Sequence, residues 1–311
     1  MLIQEDCIPC ILNMSLSAIR NVAKETSDIR RLFRKVMALP SLKGERWDVT
    51  SAEVIENVMK AVTRHSKEAD PFRTEKLSQN KKLMAIYHSL EKTVRDSNEP
   101  LLSALKLAIL GNSIDAMVSD KPSDMIEGMM DKIKKMEIRK EDYEIFIERL
   151  QRCSVLLYLG DNAGEIVLDR LFIDTIKDMY NLDVFYVVRS LPALNDVTRE
   201  EAQFVGMEEF AHVVENGIDG PLPGTILDRC SKEMLSLVKK ADLIISKGGG
   251  NFETISEEKS LNKHVTFMLV SKCQVYYRHF GIHLSQPIFA NVFQGDTGAF
   301  YEEGGLYNQT S

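Results

Sequence analysis

The sequence predicts an α/β protein in which an all-helical amino-terminal domain precedes a Rossmann-like α/β/α sandwich with a mostly parallel sheet. Two observations lead to this fold class. In the second half, short apolar runs rich in β-forming residues alternate with helical stretches, which is typical of βαβ units. In the first half, apolar residues recur at helical spacing instead. The change near residue 150 predicts a helical domain with its connector at 1–150 and an α/β/α domain at 151–311.

The predicted strands of the second half are five apolar runs and one weaker run. They are VLLYL (155–159), VFYVV (184–188), LIIS (243–246), VTFML (265–269), PIFA (287–290) and the weaker HVVE (212–215). Their lengths and β-branched content favour strands over helices.

Helix signals dominate the first half. Thr50 and Glu53 have the spacing of a capping box ahead of an apolar stripe that starts at Val54. Pro100 suits the first turn of a further helix. The charged segment 132–149 is predicted to be an amphipathic connector between the two domains.

Composition limits the classes of function. The chain has 311 residues and a formal net charge of −7, without a dense Lys/Arg face, so nucleic acid is not expected as a partner. It contains no apolar segment of the roughly 18 residues that a membrane span needs, and its acidic start does not match a signal peptide. An odd number of cysteines, 5, indicates thiols. We therefore expect a cytoplasmic protein; its oligomeric state stays open.

Polar residues collect where the predicted strands end, which is where open α/β sheets bind ligands. After the first run come Asp161, Asn162 and Glu165; after the second, Arg189 and Asp196. After the LIIS run come Lys247, Gly248, Gly249, Gly250 and Asn251, and after the VTFML run comes Lys272.

These residue types suit a metal-bound phosphate. Asp161 and Asp196 offer carboxylate oxygens and Asn162 an amide oxygen, a set that favours a hard divalent ion such as Mn²⁺ or Mg²⁺. Lys247 can neutralise phosphate charge, and the glycines behind it allow backbone N–H groups to approach an anion closely.

Each motif also has an ordinary structural interpretation. Asp161 with Asn162 can form an Asx-turn or helix cap, and Asp196 can cap a helix. The three glycines can form a plain tight turn. Glu165 can serve the site or simply complement a helix dipole.

Two further pairs are open to interpretation. Asn112 and Asp115 share a helix face if the helix continues, and they then reach the site from the first domain. Cys7 and Cys10 form a Cys-x-x-C pair, for which we favour two thiols in a small helical core over a metal or redox site.

The motifs GDNAGE (160–165), RSLPALND (189–196) and KGGGNFE (247–253), in this order, resemble those of the damage-control phosphatase family. The amino-terminal CIPC, DPFRTEK (70–76), GNSID (111–115), GIDGPLPGT (217–225) and SKC (271–273) extend the resemblance over almost the whole chain, towards its stand-alone microbial branch.

The resemblance implies a metal-dependent phosphatase that acts on small phosphorylated metabolites such as sugar phosphates or nucleotides. By motif, Asp161, Asn162 and Asp196 would be the metal ligands, for Mn²⁺, Co²⁺ or Ni²⁺. Lys247, Asn251 and the backbone between them would hold phosphate, and Lys272 matches a later substrate lysine. We expect Asp161, Lys247 and Glu165 to be catalytic, with Asn112, Asp115 and Arg189 adding substrate contacts.

Two alternative functions stay open. The strand and glycine turn at 155–165 partly match a methyltransferase site for S-adenosylmethionine, although the next strand ends in Arg189, which suits a phosphate better than a ribose diol. A non-catalytic protein that binds metal or a phosphometabolite is the other alternative.

Overall fold

The computed structural model describes residues 1–66, 69–113, 122–258, 261 and 263–293. Its first part is helical, with α1 Cys7–Val22, α2 Thr26–Met37, α3 Ser51–Ser66, α4 Arg73–Arg95, α5 Pro100–Gly111, α6 Pro122–Lys135 and α7 Lys140–Gln151. The second part contains the strands β1 Val155–Leu159, β2 Asp183–Val188, β3 His212–Glu215, β4 Leu243–Lys247, β5 His264–Val270 and β6 Pro287–Phe293. Its helices are α8 Glu165–Met179, α9 Arg199–Phe204, α10 Lys232–Lys240, α11 Gly248–Ile255 and α12 Gln274–Phe280.

The strands form one sheet in the order β3-β2-β1-β4-β5-β6. Only the pairing of β5 with β6 is antiparallel; the other neighbouring pairs are parallel. All six apolar runs form strands, so the predicted α/β class with a mostly parallel sheet is confirmed. The order reverses between β1 and β4, which makes their carboxyl ends the switch point where ligands bind in doubly wound sheets.

Side chains alternate between the two faces of the sheet. Leu156 and Tyr158 belong to a core built with α4 to α8 on one face. Leu157 and Leu159 belong to a second core built with α10 to α12 on the other face. Because both faces are covered, the central strands are apolar throughout, as in parallel sheets generally.

The first three helices pack into a separate core, made of residues between Ile3 and Phe72. The helices from α4 onwards share the core of the sheet, which begins at Leu83. The boundary between these two hydrophobic cores therefore lies between Phe72 and Leu83. It is earlier in the chain than the domain boundary predicted near residue 150.

The predicted connector at 132–149 differs from the structure. Segment 132–149 is split between α6 and α7, with a non-helical break at 136–139. Phe146 and Leu150 of α7 are buried in the core of the sheet. The segment thus belongs to the sandwich, because its apolar stripe packs on the sheet.

The capping box at the start of α3 is confirmed. The backbone N–H of Thr50 donates to Oε2 of Glu53 over 2.8 Å, and the N–H of Glu53 donates to Oγ1 of Thr50 over 3.3 Å. Among the described helices, none combines the length and apolarity that crossing a bilayer requires.

Candidate active site

The loops that follow β1 and β2 are joined by backbone hydrogen bonds. Asn162 and Asp196 form an isolated antiparallel bridge. The N–H of Ala163 donates to the carbonyl of Asn195 over 2.9 Å, and the N–H of Val197 donates to the carbonyl of Asp161 over 2.8 Å. The adjacent Asp161 and Asn162 are thereby held beside Asp196, which follows the next strand in the chain.

Two amide side chains surround the Asp161 carboxylate. Nδ2 of Asn112 donates to Oδ2 of Asp161 over 3.2 Å, and Nδ2 of Asn162 donates to the same oxygen over 2.5 Å. Nδ2 of Asn162 also donates to Oε2 of Glu165 over 3.1 Å. Since these bonds use its nitrogen, the Asn162 amide keeps its oxygen for another ligand. The helix α5 ends at Gly111 and does not continue through Asn112. Oδ1 of Asn112 accepts from the N–H of Val270 over 3.2 Å, so the carboxyl end of α5 contacts the site.

Arg189 lies behind the aspartates. Its Nε is 2.6 Å from Oδ2 of Asp196 and its Nη2 is 3.5 Å from Oδ1 of Asp161, with only 1% of the side chain exposed. Nη1 donates to Oδ1 of Asn251 over 3.0 Å. The expected contact between Arg189 and a phosphate is not what the structure shows, because this guanidinium is enclosed by protein acceptors and does not line the cleft.

Lys247 also points away from the cleft. Its Nζ is 2.6 Å from Oε1 of Glu165 and 2.6 Å from Oδ1 of Asp169, and it donates to the carbonyl of Ala108 over 2.8 Å. Burial alone would lower the pKa of Lys247, but the two carboxylates outweigh it and the pKa is raised. The expected direct role of this lysine in phosphate neutralisation is therefore not supported by its placement.

The site carries an excess of buried negative charge. Burial, reinforced by Asp196 and Glu165, raises the pKa of Asp161 well above its ordinary value. Burial also raises the pKa of Asp196, against the opposing charge of Arg189. Four carboxylates contact two cations in this cluster, namely Asp161, Asp196, Glu165 and Asp169 against Arg189 and Lys247. Lys76 also acts on Asp196, but its charge is matched by the carboxylates of Asp70 and Glu201. A divalent cation would balance this formal charge, so the residues fit one.

The donor set is made of oxygen atoms. Within the described ranges, no three His, Cys, Asp or Glu side chains lie in a metal-binding arrangement. The candidate site therefore consists of two carboxylates, from Asp161 and Asp196, with the amide oxygen of Asn162. Such a set suits Mn²⁺ or Mg²⁺, which keep several positions open for water and substrate.

A cleft of about 450 Å³ opens above these ligands, between the sheet and the first three helices. Asp161, Asn162 and Asp196 line its base. Gly249, Gly250 and the exposed side chain of Lys272 also line it, whereas the amino-terminal helices supply an apolar wall with Ile11, Met14, Ile55 and Phe72. The metal-binding oxygens and the candidate phosphate-binding groups thus face one space.

The three glycines at the start of α11 allow close approaches. Gly248 has a φ of +74°, and a Cβ there would overlap the carboxylate of Asp161. A Cβ at Gly249 would overlap the hydroxyl of Tyr276, and one at Gly250 would overlap the carbonyl of Pro223. Lys247 makes no side-chain cap to this helix, so the first N–H groups of α11 are left for an anion.

The remaining predicted residues have mixed placements. Asn251 is fully buried and its Nδ2 donates to the carbonyls of Gly160 and Lys247, each over 2.9 Å, so it organises the loops rather than lining the cleft. Asp115 lies outside the described residues. Glu165 is fully buried beneath Asn162.

Sequence reasoning missed Lys76, Asp169, Glu253 and Tyr276. Lys76 is fully buried, 2.5 Å from Asp70 and 3.0 Å from Glu201, and donates to the carbonyl of Asp196 over 3.4 Å. Its position at the end of the DPFRTEK motif was the available signal. Asp169 could have been found as an acid on the apolar face of α8, one turn after Glu165.

The Cys-x-x-C pair differs from the expected buried thiols. Cys7 is half-buried, Cys10 is exposed, and both line the cleft together with Cys273. Burial of its sulfur raises the pKa of Cys7 to about 11, which disfavours the reactive thiolate. Helix α1 starts at Cys7. Cys7 packs against the core of the first three helices and also lines the cleft, whereas the exposed Cys10 only lines the cleft.

Comparison with known proteins finds relatives along most of the chain. Residues 3–286 match the model of the damage-control phosphatase ARMT1-like domain. A damage-control phosphatase of Pyrococcus horikoshii is 29% identical over 280 residues, which cover 89% of this chain and 94% of that protein. An uncharacterised protein of Methanocaldococcus jannaschii is 28% identical over 296 residues, which cover 92% of this chain and 94% of that protein. A damage-control phosphatase of Archaeoglobus fulgidus is 27% identical over 221 residues, which cover 70% of this chain and 75% of that protein.

A solved structure has the same fold. The crystal structure of a DUF89 family protein from Pyrococcus horikoshii superposes with a TM-score of 0.84 at 27% identity, covering 93% of this chain and 98% of that one. The resemblance inferred from the motifs is thereby confirmed. The chain belongs to the damage-control phosphatase ARMT1-like family.

Proposed function

We propose that the chain is a metal-dependent phosphomonoester hydrolase that acts on small phosphorylated metabolites. The observation that carries the proposal is that Asp161, Asn162 and Asp196 line the same cleft as Lys272 and the start of α11. The names of the relatives from Pyrococcus horikoshii and Archaeoglobus fulgidus support a role in phosphatase chemistry and metabolite repair.

Asp161, Asn162 and Asp196 would hold a divalent ion, with Mn²⁺, Co²⁺ and Ni²⁺ as the first candidates and Mg²⁺ as a further one. When bound, such an ion supplies positive charge that stabilises phosphoryl transfer. Arg189 fixes the two aspartates from behind through its contacts of 2.6 Å and 3.5 Å. Glu165 fixes the Asn162 amide by accepting from its nitrogen.

The phosphate would bind between Lys272 and the N–H groups of Gly249 and Gly250. In the hydrolysis, a water attacks phosphorus in line, the ester P–O bond breaks, and the alcohol leaves with a proton. Oδ2 of Asp161 accepts from two amides and Oδ1 faces Arg189. Because the proposed ligand role of Asp161 competes with covalent attack by the same carboxylate, we favour water as the nucleophile.

The test is metal reconstitution. Protein stripped with a chelator is reloaded separately with Mn²⁺, Co²⁺, Ni²⁺ and Mg²⁺, then offered sugar phosphates, nucleotides and an aryl phosphate. We expect phosphate release only with metal, and loss of release in Asp161→Ala and Asp196→Ala. Asp131→Ala is the matched control, because this exposed residue lies on α6 with only a 4.0 Å contact to Lys134.

Two outcomes would contradict the proposal. Phosphate release that is unchanged by the chelator or by both substitutions would remove these residues from a metal site. Absence of release from every substrate, together with calorimetric binding of S-adenosylmethionine, would favour a methyltransferase instead.

A further inference from the structure

A second polar group lies in the cleft one helical turn away from the start of α11. Glu253 lines the cleft, and its carboxylate is held from two sides. The hydroxyl of Tyr276 donates to its Oε1 over 2.8 Å, and the hydroxyl of Ser51 donates to its Oε2. The carboxylate therefore has a fixed position between α11, α12 and the amino-terminal helix α3.

This carboxylate is next to the candidate phosphate-binding groups. The hydroxyl of Tyr276 lies where a Cβ of Gly249 would be, so it touches the backbone that would face the phosphate. Glu253 follows Gly249 by four positions, a distance of about 6 Å along the helix axis. A short carbon chain on the phosphate ester spans that distance.

The chemistry of the group determines what it can bind. Each carboxylate oxygen has a second lone pair after accepting from Tyr276 or Ser51, so it can accept another hydrogen bond. A hydroxyl or amino group of a substrate can donate that bond. A second anionic group at the same place would be repelled by the ionised carboxylate.

The Glu253 carboxylate repels a second anion only in its ionised form. Burial raises the pKa of Glu253 to about 7, with Tyr276 opposing the shift. The neighbouring wall contains Cys7, Cys10 and Ile11, which carry no positive charge. The nearby cation is the amino terminus of Met1, which donates to the backbone carbonyl of Glu253 and also opposes the rise of its pKa.

We propose that Glu253, positioned by Tyr276 and Ser51, determines substrate specificity by binding a hydroxyl or amino group about one helical turn from the phosphate. Monophosphates that carry a hydroxyl or amino group at that distance are then preferred over monophosphates that carry a carboxylate there. This inference rests on the proposed function, since it assumes that phosphate binds between Lys272 and α11.

The experiment compares glycerol 3-phosphate with 3-phosphoglycerate, which differ by a hydroxymethyl group against a carboxylate. Measurements are made with Mn²⁺, about one pH unit above the pKa of Glu253 so that the carboxylate is ionised. Affinity is measured by calorimetry if the protein shows no turnover, and kcat/KM is measured if it does. We expect the native protein to prefer glycerol 3-phosphate by about tenfold or more.

Glu253→Gln keeps the shape of the side chain and removes its charge. We expect it to reduce the preference to within about threefold, mainly through a lower KM or Kd for 3-phosphoglycerate. Tyr276→Phe should weaken the preference in the same direction, because it frees the carboxylate. Glu75→Gln is the matched control, since it removes another carboxylate that lines the cleft from α4, and it should leave the ratio unchanged.

The outcomes separate this inference from the proposed function. The role of Glu253 is overturned if the preference for glycerol 3-phosphate is the same in the native protein and in Glu253→Gln. It is also overturned if Glu75→Gln reduces that preference as much as Glu253→Gln does. Either result would stand even if hydrolysis is metal-dependent. A preference in binding that depends on Glu253 without any turnover supports the subsite while contradicting the hydrolase. If neither ligand binds or reacts, the subsite proposal fails, and metal-dependent phosphate release from the panel of sugar phosphates, nucleotides and an aryl phosphate decides the hydrolase proposal separately.

Discussion

Nζ of Lys247 lies 2.6 Å from Oε1 of Glu165, and neither side chain is exposed to solvent. Glu165 in turn accepts from Nδ2 of Asn162 over 3.1 Å. Lys247, the lysine of the glycine-rich motif, thus contacts the candidate metal site indirectly. It holds the carboxylate of Glu165, and that carboxylate holds the amide of Asn162. We infer that Lys247 is a positioning residue and not a phosphate ligand.

Lys247→Met should strongly destabilise the protein. The substitution leaves Glu165 and Asp169 buried without their common counter-charge, and breaking a buried ionic group in this way costs about 3–5 kcal/mol. Urea unfolding in the presence of chelator measures the loss. The control is Lys240→Met on α10, an exposed position, where we expect a change below about 0.5 kcal/mol. Similar losses in the two variants would contradict the buried role.

Asp161→Asn should stabilise the metal-free protein and abolish its response to metal. The native carboxylate has a raised pKa because of burial and two neighbouring carboxylates, so replacing it with a neutral amide relieves an unfavourable charge. Each 1 kcal/mol gained should raise the thermal midpoint by about 2–4 °C. Thermal unfolding with and without Mn²⁺ is the measurement. A midpoint that still rises with Mn²⁺ as in the native protein would exclude Asp161 as a ligand.

Gly248→Ala should impair the site through the backbone. The positive φ of +74° strains any other residue, and the added Cβ would overlap Asp161. We expect loss of stability of at least about 1 kcal/mol, with metal affinity weakened because Asp161 must move. Gly128→Ala in α6 is the control, since no atom lies within 4 Å of the position of the added Cβ. This substitution should stabilise the folded protein by about 0.5–1 kcal/mol. Unfolding curves and Mn²⁺ titration of both variants test the contrast.

The stability contributed by Glu253 should fall as pH rises. Its pKa is raised by burial from 4.5 to about 7, so the folded state holds a proton that the unfolded state has released within this interval. The sign follows from linkage: the contribution is complete below 4.5 and is lost as pH passes about 7. The thermal midpoint of the native protein should therefore decline relative to Glu253→Gln across this range. A difference that is independent of pH would show that Glu253 has an ordinary pKa.

Local patterns in the sequence determined the elements of the fold. Alternating apolar runs defined the strands, and the capping pair of Thr50 and Glu53 defined the start of α3. Because parallel strands present their carboxyl ends at one edge, the order of the motifs also predicted that Asp161, Asn162 and Asp196 would meet. Their backbone bridge agrees with that prediction. Family membership followed from the same motifs.

The direction of each side chain was decided only by the tertiary structure. Lys247, Arg189 and Asn251 have the residue types of a phosphate site, yet all three turn inward, because buried carboxylates and carbonyls satisfy them there. Tyr276 reaches the site from α12, whose local sequence gives no sign of it. Lys76 is indicated only by its place at the end of the DPFRTEK motif. The position of a residue in the sequence determines which strand end it follows. The groups that bury its side chain or neutralise its charge come from residues far away in sequence, so the local pattern does not predict them.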